Sequence, residues 1–159
     1  MFENLSQKSS HDEARSREIS FVIGPTEVAD VMTGKVVTLS PHHTLSEVAN
    51  LMNNRYFRHC VVVDNNRKIV GVISDRDILR ALARNPNSGS KSLDQIMTRN
   101  AITVKRNTPI IDAVSKMLAK RINCLPVMEE DGAICGIVTS TDLLKSYQQL
   151  LELVQKQAG

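Results

Sequence analysis

Gly71-Val72-Ile73-Ser74-Asp75-Arg76-Asp77-Ile78-Leu79 is answered 65 positions on by Gly136-Ile137-Val138-Thr139-Ser140-Thr141-Asp142-Leu143-Leu144. Each phrase is an apolar strand that runs into a hydroxyl residue and then a carboxylate at a helix start. Working outward, the same spacing relates Met32-Thr33 to Met97-Thr98, Thr38 to Thr103, Met52 to Met117, Val62 to Val127 and Ile69 to Ile134. No gap is needed between Met32 and Leu144. The chain is therefore an internal repeat, and that decides the architecture before any single residue is read.

Composition sets the limits. A length of 159 residues suits one domain-sized core, and two units of roughly 55 residues, each marginal alone, are expected to share it. Aromatic content of 3% with no Trp demands an aliphatic core and argues against base-stacking platforms for single-stranded nucleic acid. The 20 basic and 17 acidic residues are interspersed, without the basic stripe that nucleic-acid binding calls for. Cys60, Cys124 and Cys135 are an odd count without CxxC spacing, read as reduced thiols of a cytoplasmic protein. Apolar runs are too short for a membrane span, and the N-terminus lacks an apolar signal region.

Residues 1–24 lie outside the repeat and read as a polar arm, with Ile19 to Ile23 as a short strand. A first unit is expected over 25–84: a short helix at Thr26 to Met32 capped by the Thr26 hydroxyl, a strand at Val36 to Leu39, and a helix opened by the capping box Thr44-x-x-Glu47. A buried strand at Cys60 to Val63, a turn at Asp64 to Lys68, a strand at Ile69 to Ile73 and a helix at Asp75 to Ala83 complete it. The composition of residues 85–91 reads as a linker. A second unit over 92–159 repeats the order: a helix at Leu93 to Met97, a strand at Ala101 to Val104, and a helix from Thr108 with Pro109 at its first position. Strands at Leu125 to Met128 and Ile134 to Val138 follow, then a last helix beginning at Thr141 or Asp142. Leu143, Leu144, Tyr147, Leu150, Leu151 and Val154 form its apolar stripe. That helix outruns its counterpart by several turns, so part of its stripe is expected to pack on another subunit or on the N-terminal arm.

This order, ending twice in G-h-h-[ST]-x-x-D-h-h, resembles the cystathionine-β-synthase (CBS) domain, here as a tandem pair or Bateman module. The resemblance covers about residues 25–148 and implies an α+β fold: two pseudo-twofold-related β-α-β-β-α units with two related sites in the cleft between them. It further implies a regulatory ligand-binding module that takes AMP, ADP, ATP or a similar adenosine derivative, works as a homodimer, and serves an unidentified effector protein. Asp77 and Asp142 suit the paired hydroxyls of ribose, since an ionised acceptor strengthens such bonds. Ser74 and Thr139 either contact phosphate or cap the helix. The resemblance points Arg76 and Thr141 at the ligand, sets Arg58, His59, Asn123 and Cys124 at the mouths of the sites, and lines the adenine ends with Thr33, Val37, Thr98 and Ile102. On this reading the Asp77 site, with Arg58, His59 and Arg76, favours more phosphates.

Plainer readings stand beside these. Asp77 and Asp142 could be helix caps, Arg76 a solvated side chain, the cysteines small core residues and Met32, Met52, Met97 and Met117 core. The His and Cys residues lack metal-ligand spacing, and neither a Walker A loop, a G-x-S-x-G elbow nor an HExxH helix is present, so no enzyme activity is expected. The alternative function is a protein-interaction module with a vestigial cleft; nucleic-acid binding is the weakest rival.

Overall fold

The computed structural model describes residues 24–158. The expected arm and its Ile19 to Ile23 strand lie outside that range. Each repeat contributes one three-stranded sheet. In the first, β1 (Thr38–Leu39) runs parallel to β2 (His59–Val63), which pairs antiparallel with β3 (Ile69–Ser74). In the second, β4 (Val104–Lys105), β5 (Cys124–Met128) and β6 (Ile134–Thr139) repeat the pattern. The ladder shifts at Val62/Val63 and again at the equivalent step, Val127/Met128, so even the irregularity is duplicated.

Helices α2 (Leu45–Arg55) and α3 (Asp75–Arg84) belong to the first repeat; α4 (Ile110–Lys120) and α5 (Ser140–Ala158) belong to the second. Thr44 and Glu47 form the expected box: the Thr44 hydroxyl accepts from the Glu47 amide at 3.3 Å, and the Thr44 amide donates to the Glu47 carboxylate at 2.7 Å. Tyr56 and Arg121, at equivalent positions, end α2 and α4 in the left-handed region with φ of 55° and 54°.

The opening segments are exchanged. The short helix α1 (Val28–Val31) opens the first repeat in sequence, yet Val28 is buried with Val104, Ala113, Met117, Leu125, Val127 and Val138 of the second. Leu93 and Met97, which open the second, are buried with Leu39, Leu45, Val48, Val62 and Ile73 of the first. Thr33 pairs with Ile137 through bonds of 2.9 and 3.0 Å, and Thr98 with Val72 through bonds of 2.9 and 3.0 Å. A third cluster of Val61, Cys124 and Ile137 joins the two sheets. Neither sequence repeat thus holds a complete core, which gives the shared core of the small-unit argument a concrete form.

Gly71 and Gly136 make this exchange sterically feasible. A β-carbon on Gly71 would lie 2.7 Å from the Met97 sulfur and 2.9 Å from the Thr98 carbonyl oxygen; one on Gly136 would lie 2.6 Å from the Met32 sulfur. The repeated Gly and the repeated Met-Thr pair are two sides of one contact.

Several local expectations are corrected. The Thr26 hydroxyl does not cap α1; the Asp30 carboxylate accepts from the Thr26 and Glu27 amides, each at 2.9 Å. The strands expected at Val36 to Leu39 and Ala101 to Val104 shrink to two residues each, because the chain before them is drawn to the opposite repeat. Residues 86–90 of the expected linker are a packed 3₁₀ turn (Pro86–Ser90): Ser88 is 1% exposed, and a β-carbon on Gly89 would collide with Ser46. The helix expected at Leu93 to Met97 is a 3₁₀ turn, Leu93–Gln95. Pro109 caps α4 rather than opening it, and the Thr108 hydroxyl accepts from the Lys105 amide at 3.0 Å. On α5, Leu143 meets the second core and Leu150 lies near Gly24, whereas Leu144, Tyr147, Leu151 and Val154 are exposed.

Candidate functional site

One cavity of about 830 Å³ lies between the repeats, within the size range of small-molecule sites. Every candidate named from the sequence lines it: Thr33, Val37, Arg58, His59, Ser74, Arg76, Asp77, Thr98, Ile102, Asn123, Cys124, Thr139, Thr141 and Asp142. The strand exchange gives it two poles, each built from both repeats. The Asp77 pole follows β3, against which Thr98 is bonded. The Asp142 pole follows β6, against which Thr33 is bonded; the Thr33 hydroxyl also donates to Asp142 Oδ1 at 3.4 Å.

The alternatives of cap and ligand contact prove to be divided between atoms. Ser74 is the N-cap of α3, and Asp77 is its capping-box partner. Asp77 Oδ2 accepts from the Ser74 amide at 2.8 Å and hydroxyl at 2.7 Å, while the Ser74 hydroxyl accepts from the Asp77 amide at 3.2 Å. Asp142 Oδ2 accepts from the Thr139 amide and hydroxyl, each at 2.8 Å. The Ser74 and Thr139 hydroxyl protons are therefore committed to the box. Asp77 Oδ1 keeps only a 3.8 Å approach from Arg80, and Asp142 Oδ1 only the long Thr33 bond. One oxygen of each carboxylate fixes the side chain; the other is a rigid, weakly engaged acceptor.

The poles differ in charge. At the Asp77 pole stand Arg58, Arg76 and Arg80, with Asp75 reaching the Arg58 Nε at 3.8 Å. A backbone bond of 3.0 Å also runs from the Asp75 amide to the Arg58 carbonyl; its equivalent, from the Ser140 amide to the Asn123 carbonyl at 3.0 Å, joins two uncharged residues at the other pole. Burial depresses the His59 pKa, opposed by Asp75 and Asp77. Its counterpart Cys124 has its thiol pushed up to about 12, first by burial and then by Asp142, so it stays neutral. Cys60 is likewise pushed up to about 12, mainly by burial.

Sequence reasoning missed Asp75 and Arg80 as members of the first pole, and Lys35 and Arg121 as members of the lining. Arg121 and Lys35 line the cavity; Lys120 and Lys145 do not. The signal for Arg121 was its equivalence to Tyr56 at a helix end, where the left-handed residue turns the chain toward the cleft. The cationic excess of the Asp77 pole is accordingly smaller than the sequence suggested. Among the described residues no His, Cys, Asp and Glu cluster could hold a metal ion.

The family model for the CBS domain matches residues 28–84 and 93–149. The chain belongs to the CBS domain family. Structural likeness agrees. The CBS domain pair of protein MJ0100, solved in complex with 5′-methylthioadenosine and S-adenosyl-L-methionine, is 31% identical with a TM-score of 0.72; the match covers 79% of this chain and 98% of that one. CBSX2, solved in complex with AMP, is 26% identical with a TM-score of 0.68, covering 79% and 98%. A homoserine O-acetyltransferase from Methanohalobium evestigatum is 32% identical over 124 residues, 78% of this chain but 24% of that protein. The chain thus spans about a quarter of the length of that curated relative, and the likeness is to its CBS part. This CBS pair has an α+β fold, and no helix among its described residues is long and apolar enough to cross a membrane.

Proposed function

We propose that this CBS pair is a regulatory module, not a catalyst, that binds adenosine nucleotides of the AMP, ADP or ATP type in the cavity between its repeats. The observation that carries the reading is the pair of pseudo-twofold carboxylates, each pinned through Oδ2 and open at Oδ1, on the wall of one cavity. Asp77 and Asp142 each accept from a ribose diol at that oxygen, with the charge-assisted strength of an ionised acceptor. Adenine lies against the exchanged segments, Thr98 to Ile102 at one pole and Thr33 to Val37 at the other. AMP and S-adenosyl-L-methionine in related pairs support an adenosine ligand without choosing among its derivatives.

The Asp77 pole takes the more phosphorylated ligand. Three guanidiniums border it, and Arg58 is held only by a long, largely exposed ion pair to Asp75. Such a pair contributes about 1 kcal/mol or less in water, so a phosphate replaces it readily and gains bidentate contacts. The Asp142 pole has Lys35 and Arg121 but a neutral thiol in place of the imidazole. Regulation follows from any difference in affinity between the two shapes of the pair that the ligand distinguishes.

Isothermal titration calorimetry with adenosine, AMP, ADP and ATP tests the reading. Asp77→Asn and Asp142→Asn keep a capping oxygen and put an amide N–H in place of the free acceptor. Each is expected to remove binding at its own pole while leaving the melting temperature of the free protein within a few degrees. Two equal sites would refute the assignment of poles. No heat with any adenosine compound would favour the alternative of a protein-interaction module with a vestigial cleft.

A further inference from the structure

Helix α3 carries a row of charge that the nucleotide reading uses only in part. Arg76, Arg80 and Arg84 follow one another at four-residue steps and are exposed, so they share one side of the helix. Among the described residues Arg76 and Arg84 are in no ion pair, and Arg80 has only the 3.8 Å approach to Asp77. The row starts in the cavity and leaves it: Arg76 and Arg80 line the wall, and Arg84 does not. It belongs to one repeat alone. The counterparts on α5 are Thr141, Lys145 and Gln149, one charge in place of three. Like charges at this spacing destabilise a helix, so the row has a cost that a counter-charge would remove. Beside it stand Leu79, 65% exposed, and the exposed Ala83.

From this geometry we infer that the arginine row of α3 docks an acidic segment of an effector protein, and that nucleotide phosphate at the Asp77 pole displaces it. The displacement rests on the nucleotide reading above; the docking does not. Each four-residue step along the helix rises about 6 Å. Alternate residues of an extended chain lie about 7 Å apart on one face. Carboxylates at every second position of an extended peptide therefore meet successive guanidiniums, each shaped to take a carboxylate through two parallel bonds. Leu79 and Ala83 give the peptide an apolar margin. The row has no aromatic neighbour on α3 for a base to stack on, which favours a peptide over single-stranded nucleic acid. Arg76 and Arg80 cannot serve both anions at once. A phosphate in the cleft leaves the peptide Arg84 alone, and linkage requires each ligand to weaken the other by the same factor. Occupancy of the cleft thus becomes release of a partner, and no change of shape is required.

Fluorescence anisotropy of labelled deca-glutamate on the full chain tests this, at low ionic strength because exposed charges are screened by salt. The wild type should bind the peptide, and Arg84→Gln should bind it about threefold more weakly or worse. Lys156→Gln, which removes an exposed charge from α5, should change binding by less than about twofold. Circular dichroism should show both variants folded. ATP should displace the peptide from the wild type but not from Asp77→Asn, and calorimetry should find ATP affinity unaltered in Arg84→Gln. Equal losses in Arg84→Gln and Lys156→Gln, or tighter binding of labelled decathymidylate than of the peptide, overturn the docking. Peptide that stays bound through Arg84 while ATP fills the cleft overturns the displacement. Binding of the peptide through Arg84 with no heat from ATP supports the docking and refutes the nucleotide reading.

Discussion

Gly71→Ala tests the exchanged architecture at its tightest point. The new methyl would lie 2.7 Å from the Met97 sulfur, 2.9 Å from its Cγ and 2.9 Å from the Thr98 carbonyl oxygen. The thioether can swing aside, but the carbonyl is fixed by its 3.0 Å bond from the Val72 amide. Overpacking of this kind costs about 1–3 kcal/mol, and the stiffer unfolded chain returns about 0.4–1 kcal/mol. A net loss of about 1–2 kcal/mol remains, which at 2–4 °C per kcal/mol for a chain of this size lowers Tm by about 2–8 °C. Gly136→Ala supplies the control. Its methyl would meet the movable Met32 sulfur at 2.6 Å but the Thr33 oxygen only at 3.2 Å, so its Tm should change by about half as much or less. Thermal unfolding followed by circular dichroism reads both. A Gly71→Ala protein that melts at or above the wild type, or a Gly136→Ala protein that loses more, would refute the argument. A cycle with Met97→Ala should show coupling of about 0.5–3 kcal/mol, since the two side chains contend for one space.

Other expectations follow from single groups. Arg67 sits at φ 62° in the β2–β3 turn, at the position where the β5–β6 turn has Gly132 at φ 86°; Arg67→Gly should therefore stabilise the fold by up to about 1 kcal/mol, read as a higher urea midpoint at an unchanged slope. Because burial depresses the His59 pKa in the folded state, the unfolded chain takes up its proton first. Stability should rise with pH below about 6.5, and His59→Gln should flatten that rise in urea titrations at successive pH values; an unchanged slope would remove His59 from the account. With their thiols pushed up to about 12, Cys60 and Cys124 should react with a disulfide reagent at pH 8 only as fast as the protein unfolds; rapid modification of three thiols in the native protein would contradict their burial.

Much of this molecule is written locally. Thr44 and Glu47 announce α2, the β-branched run at Val61 to Val63 announces a buried strand, and the duplicated Gly-to-Leu phrase announces two strand-to-helix junctions. Those junctions bring all the candidate residues to one cavity because each side chain's place follows from its position within a repeated phrase. The loose readings failed where composition stood in for contact: residues 86–90 look like a linker, yet Ser88 and Gly89 pack against α2. Asp75 carries no mark that distinguishes it from other charged helix residues until the fold sets it beside Arg58, whereas Arg80 meets Asp77 through i,i+3 spacing on one helix.

The sequence by itself determined the number of units, the order of their elements and the residues at their junctions, since periodicity, capping and turn chemistry act over a few neighbouring positions. Only the tertiary structure decided that Val28 completes the second core and Leu93 the first, that one carboxylate oxygen is spent on each cap, and that Lys35 and Arg121 line the cavity. Those facts depend on which distant segments meet, and a small repeat buries enough apolar surface only by borrowing from its neighbour.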